Sequence, residues 1–286
     1  MAVSGKALHR RRLARTLRAW RNEANLSIES VAEALFCGMG TVHRMESGES
    51  AEPLRVKAAL ELYGAPQGLI TEMVLLAKEK RRRGTPPKPY YDLVARTFAE
   101  YLDLEEEADL LQVVEGDVVN GLLQTKEYAH ALISGGDPYV EPAEVGRYLE
   151  LRMARQERLT SENPLQLQVV LGEAALHCEV GGRAVLKRQL DHLLAVHHDL
   201  PNVDLRVLPW SAGAHPASGR HFITLRFPGS TEAEMIFSEN VSFFVLQDDE
   251  PEVQRFQLAY DRVWAKALGR TGTAKLIRRV AAELST

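Results

Sequence analysis

Apolar residues recur at helical spacing through residues 13–80. The face of the first predicted helix is formed by Leu13, Leu17, Trp20 and Ala24, which follow one another at steps of four, three and four. Ser27 belongs to the residue types that cap helices, and the apolar positions after it predict a second helix. Further helices are predicted over residues 39–47, 54–63 and 67–80. Five short helices with a tight turn between the second and the third indicate a compact all-α domain.

Beyond residue 90, strand and helix patterns are mixed. The alternation of Leu165, Leu167, Val169 and Leu171 predicts a strand with one buried side. Strands are predicted over residues 109–115, 165–171, 203–209, 221–227, 234–239 and 242–247. Helices are predicted over residues 90–104, 125–132, 142–159, 173–177, 183–198, 251–268 and 273–284. Because the strands come in runs with helices before and after them, the pattern predicts an α+β fold, in which a mixed domain with C-terminal helices follows the all-α domain.

The segment KEKRRRGTPPKPYY separates the two patterns. Its charges, Gly84 and the prolines at positions 86, 87 and 89 end a helix and begin an extended linker. The predicted organisation is therefore an all-α domain over residues 1–83, a linker over residues 84–89 and an α+β ligand- or partner-binding domain over residues 90–286.

Charge is distributed unevenly along the chain. Up to Arg83 there are 15 Lys and Arg against 9 Asp and Glu, whereas the remainder holds 20 against 30. A basic first part joined to an acidic remainder favours a domain that faces nucleic acid on a body that does not. The alternative is that the charge of solvated helices simply varies.

Composition excludes several other classes of protein. No apolar run is long enough to cross a membrane, and the N-terminus lacks the uninterrupted apolar segment and cleavage site of a secretory signal. Cys37 and Cys178 form neither a disulfide framework nor a metal site by their spacing. We expect a cytoplasmic protein without a metal or a cofactor.

Two sets of segments resemble known families. LARTLRAWRNEANLSIESVAEAL and FCGMGTVHRMESG resemble the helix-turn-helix of the Xre/Cro family of bacterial repressors. NGLLQTKEYAHAL, RQERLT, VVLGEAALHCEVGG, LPNVDLRVLPWSAGAH and FITLRF resemble the large domain of unassigned function in WhiJ-like regulators of actinobacteria. The resemblance implies a DNA-binding transcriptional regulator, but it supplies no chemistry for the large domain.

The recognition helix in GMGTVHRMESG is degenerate by the standard of this resemblance. The positions of Met39, Gly40 and Arg44 face the major groove in the family, yet the first two offer no side-chain hydrogen bond. Ile28 stands where a glutamine usually braces a phosphate. The candidate DNA-binding residues are Thr41, His43 and Arg44 on this helix, together with Arg10, Arg11 and Arg12. Glu49 and Glu52 replace basic residues, and Glu46 is expected to pair with an arginine of the first helix.

The large domain contains no recognisable catalytic motif. Adjacent His177 and Cys178 cannot easily face one pocket, and no metal-binding or phosphate-binding signature occurs. GLLQT and the loop WSAGAHPASG are interpreted as the rim of a small-molecule or partner pocket, with Trp210, His215, His177 and Gln124 as candidate residues. A plain turn between two strands is the alternative interpretation of that loop.

Two functional hypotheses follow from these observations. The first is a dimeric DNA-binding regulator whose large domain senses a small molecule or a small acidic partner protein. The second is a regulator-like scaffold that has lost DNA reading, with a large domain that binds or transforms a natural product. Binding of DNA across a salt series distinguishes them.

Overall fold

The computed structural model describes residues 6–78, 90–136, 140–229, 235–240 and 243–284. The chain divides into two compact units, Met1–Pro87 and Lys88–Thr286. The predicted linker over residues 84–89 lies outside the described residues, so the domain boundaries stay a prediction.

The first unit is entirely helical in its described part. Its helices are α1 (Lys6–Glu23), α2 (Ile28–Ala34), α3 (Met39–Glu46), α4 (Pro53–Leu62) and α5 (Gln67–Lys78). The hydroxyl of Ser27 accepts a hydrogen bond from the Ser30 N–H, which caps α2 as expected. Leu17, Val31 and Leu60 are completely buried at the centre of the unit. The predicted helices are confirmed, with small differences at their ends.

The second unit surrounds one sheet with helices. Its helices are α6 (Arg96–Glu107), α7 (Lys126–Gly136), α8 (Val145–Gln156), α9 (Arg183–Asp199), α10 (Glu250–Lys266) and α11 (Arg270–Glu283). Its strands are β1 (Leu110–Glu115), β2 (Gln166–Gly172), β3 (Val203–Leu208), β4 (Phe222–Arg226), β5 (Met235–Asn240) and β6 (Phe243–Gln247). The α+β fold class is confirmed.

The sheet has the strand order β3-β2-β1-β4-β5-β6 and two different halves. Strands β1, β2 and β3 are parallel and are joined by helical crossovers, whereas β4, β5 and β6 are antiparallel to their neighbours. The first three strands therefore end at the same edge of the sheet, which we call the carboxyl edge. Because β4 runs in the opposite direction, the residue that precedes it, His221, lies at this edge as well.

Both faces of the sheet are covered. On one face, Val170 and Ile236 pack with Tyr260 and Val263 of α10. On the other face, Tyr101 of α6 stacks on Phe237, with ring centroids 4.0 Å apart. None of the described helices is long and apolar enough to span a membrane.

Candidate nucleic-acid interface and candidate ligand site

Helix α3 is held firmly by the first unit. Val42 and Met45 are buried beneath it, and Glu46 at its C-terminal end binds Arg21 of α1 through two hydrogen bonds of 2.6 and 2.9 Å. Arg18 donates a further bond of 2.7 Å to the Glu46 carbonyl oxygen. The predicted pairing of Glu46 with an arginine of the first helix is confirmed.

Arg44 and Thr41 are brought together on the outer surface of α3. The Arg44 Nη2 donates to the Thr41 hydroxyl at 3.3 Å. The same guanidinium lies over Gly40, where an added Cβ atom would stand 3.6 Å from Nη1, an ordinary van der Waals contact. His43 is exposed beside Arg44. The outer surface of α3 therefore presents the Arg44 guanidinium, the Thr41 hydroxyl and the His43 imidazole as hydrogen-bonding groups.

The turn that leads into α3 carries an unexpected feature. Phe36 has a left-handed backbone with φ +49 and a side chain that is 97% exposed. Met39 is also exposed, at 55%. Left-handed residues after a helix are usually glycine, because a Cβ atom strains this conformation. Sequence pattern alone does not indicate this feature, since a phenylalanine after an apolar helix is expected to be buried.

The other predicted contacts lie on α1 and around α4. Arg10 and Arg12 are exposed, and Arg11 is half-buried. Ile28 packs against the core of the first unit, as a half-buried residue. Glu52 forms an ion pair of 3.2 Å with Arg55, which offsets part of its repulsion for a phosphate.

In the second unit, two of the predicted pocket residues meet at the carboxyl edge. The rings of His177 and Trp210 stack with centroids 5.0 Å apart, and Trp210 remains 64% exposed. The backbone N–H of Trp210 donates to the buried carboxylate of Glu173 at 2.8 Å, and this bond fixes the start of the loop. His215 is half-buried further along this loop, and burial followed by the charge of Lys266 lowers its pKa.

Gln124 has a buried side chain. Its amide donates to the Val119 carbonyl oxygen at 2.7 Å, and its own oxygen accepts a bond of 2.8 Å from Arg152 of α8. Gln156 donates to the carbonyl oxygens of Gly121 and Gln124 from the same helix. The segment GLLQT is thus a rigid support for Arg152, and a direct role for Gln124 in a pocket stays a prediction.

Gln189 of α9 holds the same segment from the other side. Its amide donates to the Leu123 carbonyl oxygen and its oxygen accepts from the Thr125 N–H, each at 2.7 Å. Arg152 and Gln189 were missed by sequence reasoning, because they come from helices distant in the chain. A polar residue within the apolar face of a helix is the one signal that could have indicated them.

Glu115 ends β1 at the carboxyl edge. Its Oε1 accepts a bond of 3.1 Å from Asn120. The pKa of Glu115 is raised to about 7, chiefly by burial; the Asn120 bond and His221 lower it in part, and Glu239 acts in the same direction as burial. His221 donates to the Glu239 carbonyl oxygen across the antiparallel half of the sheet. The carboxyl edge therefore carries the half-buried carboxyl group of Glu115, which interacts electrostatically with the Arg152 guanidinium.

The remaining cysteine and histidine side chains considered in the second unit do not form a common site. Cys178 is exposed, and His198 pairs with its neighbour Asp199. His197 lies within reach of the Arg270 carbonyl oxygen at 3.1 Å. In the described parts of the chain, no group of three His, Cys, Asp or Glu residues is placed to hold a metal ion.

Comparison with known proteins agrees with this division of the chain. Residues 12–73 match the family model of a helix-turn-helix domain, so the chain carries a DNA-binding domain of this class. Residues 98–279, more than half of the chain, match the model described as a domain of unknown function (DUF5753). The chain therefore belongs to the DUF5753 family. Nothing among the curated proteins or the solved structures matches it.

Proposed function

We propose that the protein is a cytoplasmic transcriptional regulator of the Xre type, akin to the WhiJ-like regulators of actinobacteria. The observation that supports this proposal is the Thr41–Arg44 pair on the outer surface of α3. Arginine can bind O6 and N7 of guanine through two parallel bonds, and a hydroxyl can bind either kind of base edge. Gly40 has no side chain, so base edges could approach the backbone of α3 closely at this position.

Recognition through so few groups is expected to be modest. A bidentate base contact contributes about 1–3 kcal/mol of discrimination. Attraction to phosphates by Arg10, Arg11 and Arg12 does not depend on sequence. Affinity should therefore depend strongly on salt and only moderately on the base sequence.

The regulator is proposed to act as a homodimer. One helix-turn-helix contacts few base pairs, and two copies read half-sites about 34 Å apart. Strand β6 lies at one end of the described sheet with Phe243 and Val245 exposed, a surface suited to a second copy. Light scattering should give a mass near twice 31.9 kDa. A mass of 31.9 kDa at every concentration would exclude the dimer.

The second unit is proposed to sense a small molecule or a small acidic partner protein. Support comes from the carboxyl edge, which carries the stacked Trp210 and His177 after β3 and β2 and the half-buried Glu115 at the end of β1. An effector that binds there would change the affinity for DNA by the same factor by which DNA changes the affinity for the effector.

The test is a binding titration with labelled duplexes enriched from a random pool, carried out without any effector. The dissociation constant is measured from low to high salt against a scrambled duplex of the same length. The proposal predicts a steep salt dependence and preference for the enriched sequence. Absence of binding at low salt would contradict it and favour the scaffold hypothesis.

A further inference from the structure

Arg152 has the surroundings of a ligand-binding arginine. It is largely buried on α8, and its Nη1 donates one hydrogen bond to Gln124. Within the described part of the chain, this is its one hydrogen bond, and it has no ion pair there. A guanidinium carries five N–H donors. Most of the donor capacity of Arg152 is therefore not used by the protein.

The other arginines of this segment are matched to acceptors. Arg147 donates twice to Asp92, at 2.8 Å each, and Arg155 binds both oxygens of Glu105 at 2.7 Å. Arg158, just after α8, donates to the Ala108 carbonyl oxygen at 2.7 Å. Arg147 and Arg155 thus have carboxylate partners, and Arg158 binds a carbonyl oxygen although its Nε is buried without an acceptor. Within the described residues Arg152 has no ion pair, and its free nitrogens are not among the buried atoms that lack a partner. An arginine with free donors that are not sealed in the core is a candidate for binding an anionic ligand.

The position of Arg152 is fixed in advance of binding. A Cβ atom on Gly121 would stand 3.0 Å from its Nη1 and 3.1 Å from its Cδ, so the side chain lies directly on a bare backbone. Gln124, which accepts its one bond, is itself held by the Val119 carbonyl oxygen. A preorganised donor loses little conformational entropy when an anion binds.

The fold places this guanidinium at an edge suited to binding. In open sheets with helical crossovers, ligands bind outside the carboxyl ends of the parallel strands, where the strand order changes direction. Here the parallel neighbour of β1 is β2 and its antiparallel neighbour is β4. The ends of the parallel pair β1 and β2 lie close together, because a Cβ atom on Gly172 would stand 2.3 Å from the Gly116 carbonyl oxygen.

The neighbouring charges limit the class of ligand. Burial and then Arg155 lower the pKa of Arg152 to about 10, so it remains a cation at neutral pH. Glu115 and Glu239 act on it electrostatically. These carboxylates repel any anion, but they repel a dianionic phosphate about twice as strongly as a monoanionic carboxylate, which also matches the guanidinium fork. Glu115, with an Oε1 bonded to Asn120, can accept a hydrogen bond from a donor group on the same ligand.

We propose that Arg152 binds the carboxylate of a small organic acid whose hydroxyl or amino group faces Glu115. This site deepens the sensing role in the proposed function and rests on it. The ligand class is thus a hydroxy acid or an amino acid, bound at the carboxyl edge between α8 and β1.

Calorimetry on the full chain tests the site, with small hydroxy acids and the standard amino acids as probes and inorganic phosphate as the comparison. At least one carboxylate probe should bind wild type, and phosphate should bind more weakly. Arg152→Gln should raise the dissociation constant of that probe by about 10-fold to 150-fold, which corresponds to the loss of a hydrogen bond to a charged group. Arg147→Gln is the matched control on the same helix and should leave binding unchanged.

A chemical measurement on wild type covers the case in which Arg152→Gln fails to fold. Phenylglyoxal should modify Arg152 in the free protein, and the bound probe should protect it, as read by mass spectrometry. Binding by no probe, equal loss in both variants, or binding without protection of Arg152 would each overturn the proposal. These results are independent of the DNA titration, which contains no effector, so failure here leaves DNA binding untouched.

Discussion

The guanidinium of Arg21 holds both carboxylate oxygens of Glu46, with Nε and Nη2 donating at 2.6 and 2.9 Å. Arg21 lies near the end of α1 and Glu46 lies at the end of α3, so this pair joins α3 to the first helix of the unit. Both side chains are largely buried. The orientation of α3 therefore depends on one charge pair as well as on the apolar core.

Replacing one partner of this pair should destabilise the first unit. Arg21→Met leaves the Glu46 carboxylate buried without its partner, and breaking such a pair costs about 3–5 kcal/mol. We expect the lower part of this range, because the pair keeps some contact with water. The measurement is the urea midpoint of the transition that involves the first unit. The control is Lys57→Met, which removes an exposed pair with Glu61 and should change stability by less than about 1 kcal/mol.

A second prediction concerns the strained turn before α3. Phe36→Gly should stabilise the protein by about 1 kcal/mol, because glycine adopts φ +49 without steric cost and the lost side chain is exposed. Phe36→Ala keeps a Cβ atom and should leave stability nearly unchanged. Urea denaturation compares the three proteins. A loss of stability in Phe36→Gly comparable to that of a core substitution would show that Phe36 packs against the protein.

Sequence periodicity predicted the elements of this fold well, and the meeting of distant side chains poorly. The strand over residues 165–171 and the cap at Ser27 follow from local patterns, which a single segment contains. Strand direction is not local, so the parallel half of the sheet and its carboxyl edge could not be predicted. Arg152 was missed for the same reason, since its partner Gln124 is 28 positions away.

The third prediction is a pH dependence of stability due to Glu115. Its pKa is raised from 4.5 to about 7 in the folded protein, so the folded state binds this proton more tightly than the unfolded state. The contribution to stability is therefore complete below pH 4.5 and is lost as the pH rises through about 7. Glu115→Gln should remove this part of the pH dependence and be the more stable protein at pH 8, by about 1–3 kcal/mol.

Unfolding at several pH values measures this difference, with the exposed Glu61→Gln as the control. If Glu115→Gln followed the wild-type pH profile, or were less stable than wild type at pH 8, the carboxyl group would not be titrating in the folded protein as described.

The fourth prediction concerns the domain boundaries, which are proposed from the proline-rich segment. Limited proteolysis should cut between residues 84 and 90 and release an N-terminal fragment of about 80 residues. Mass spectrometry of the fragments identifies the cut. Protection of this segment, with cleavage elsewhere, would argue against a linker at this place.

If α3 reads DNA through Arg44, as proposed, substitution of Arg44 and substitution of Arg12 should weaken DNA binding in different ways. Dissociation constants are measured for an enriched duplex and a scrambled one, using wild type, Arg44→Ala and Arg12→Ala. Arg44→Ala should reduce the binding free energy by about 1–3 kcal/mol for the enriched duplex and by much less for the scrambled one. Arg12→Ala should weaken both equally, as expected for a phosphate contact. If Arg44→Ala weakened both duplexes equally, or neither, Arg44 would not be the residue that reads the sequence.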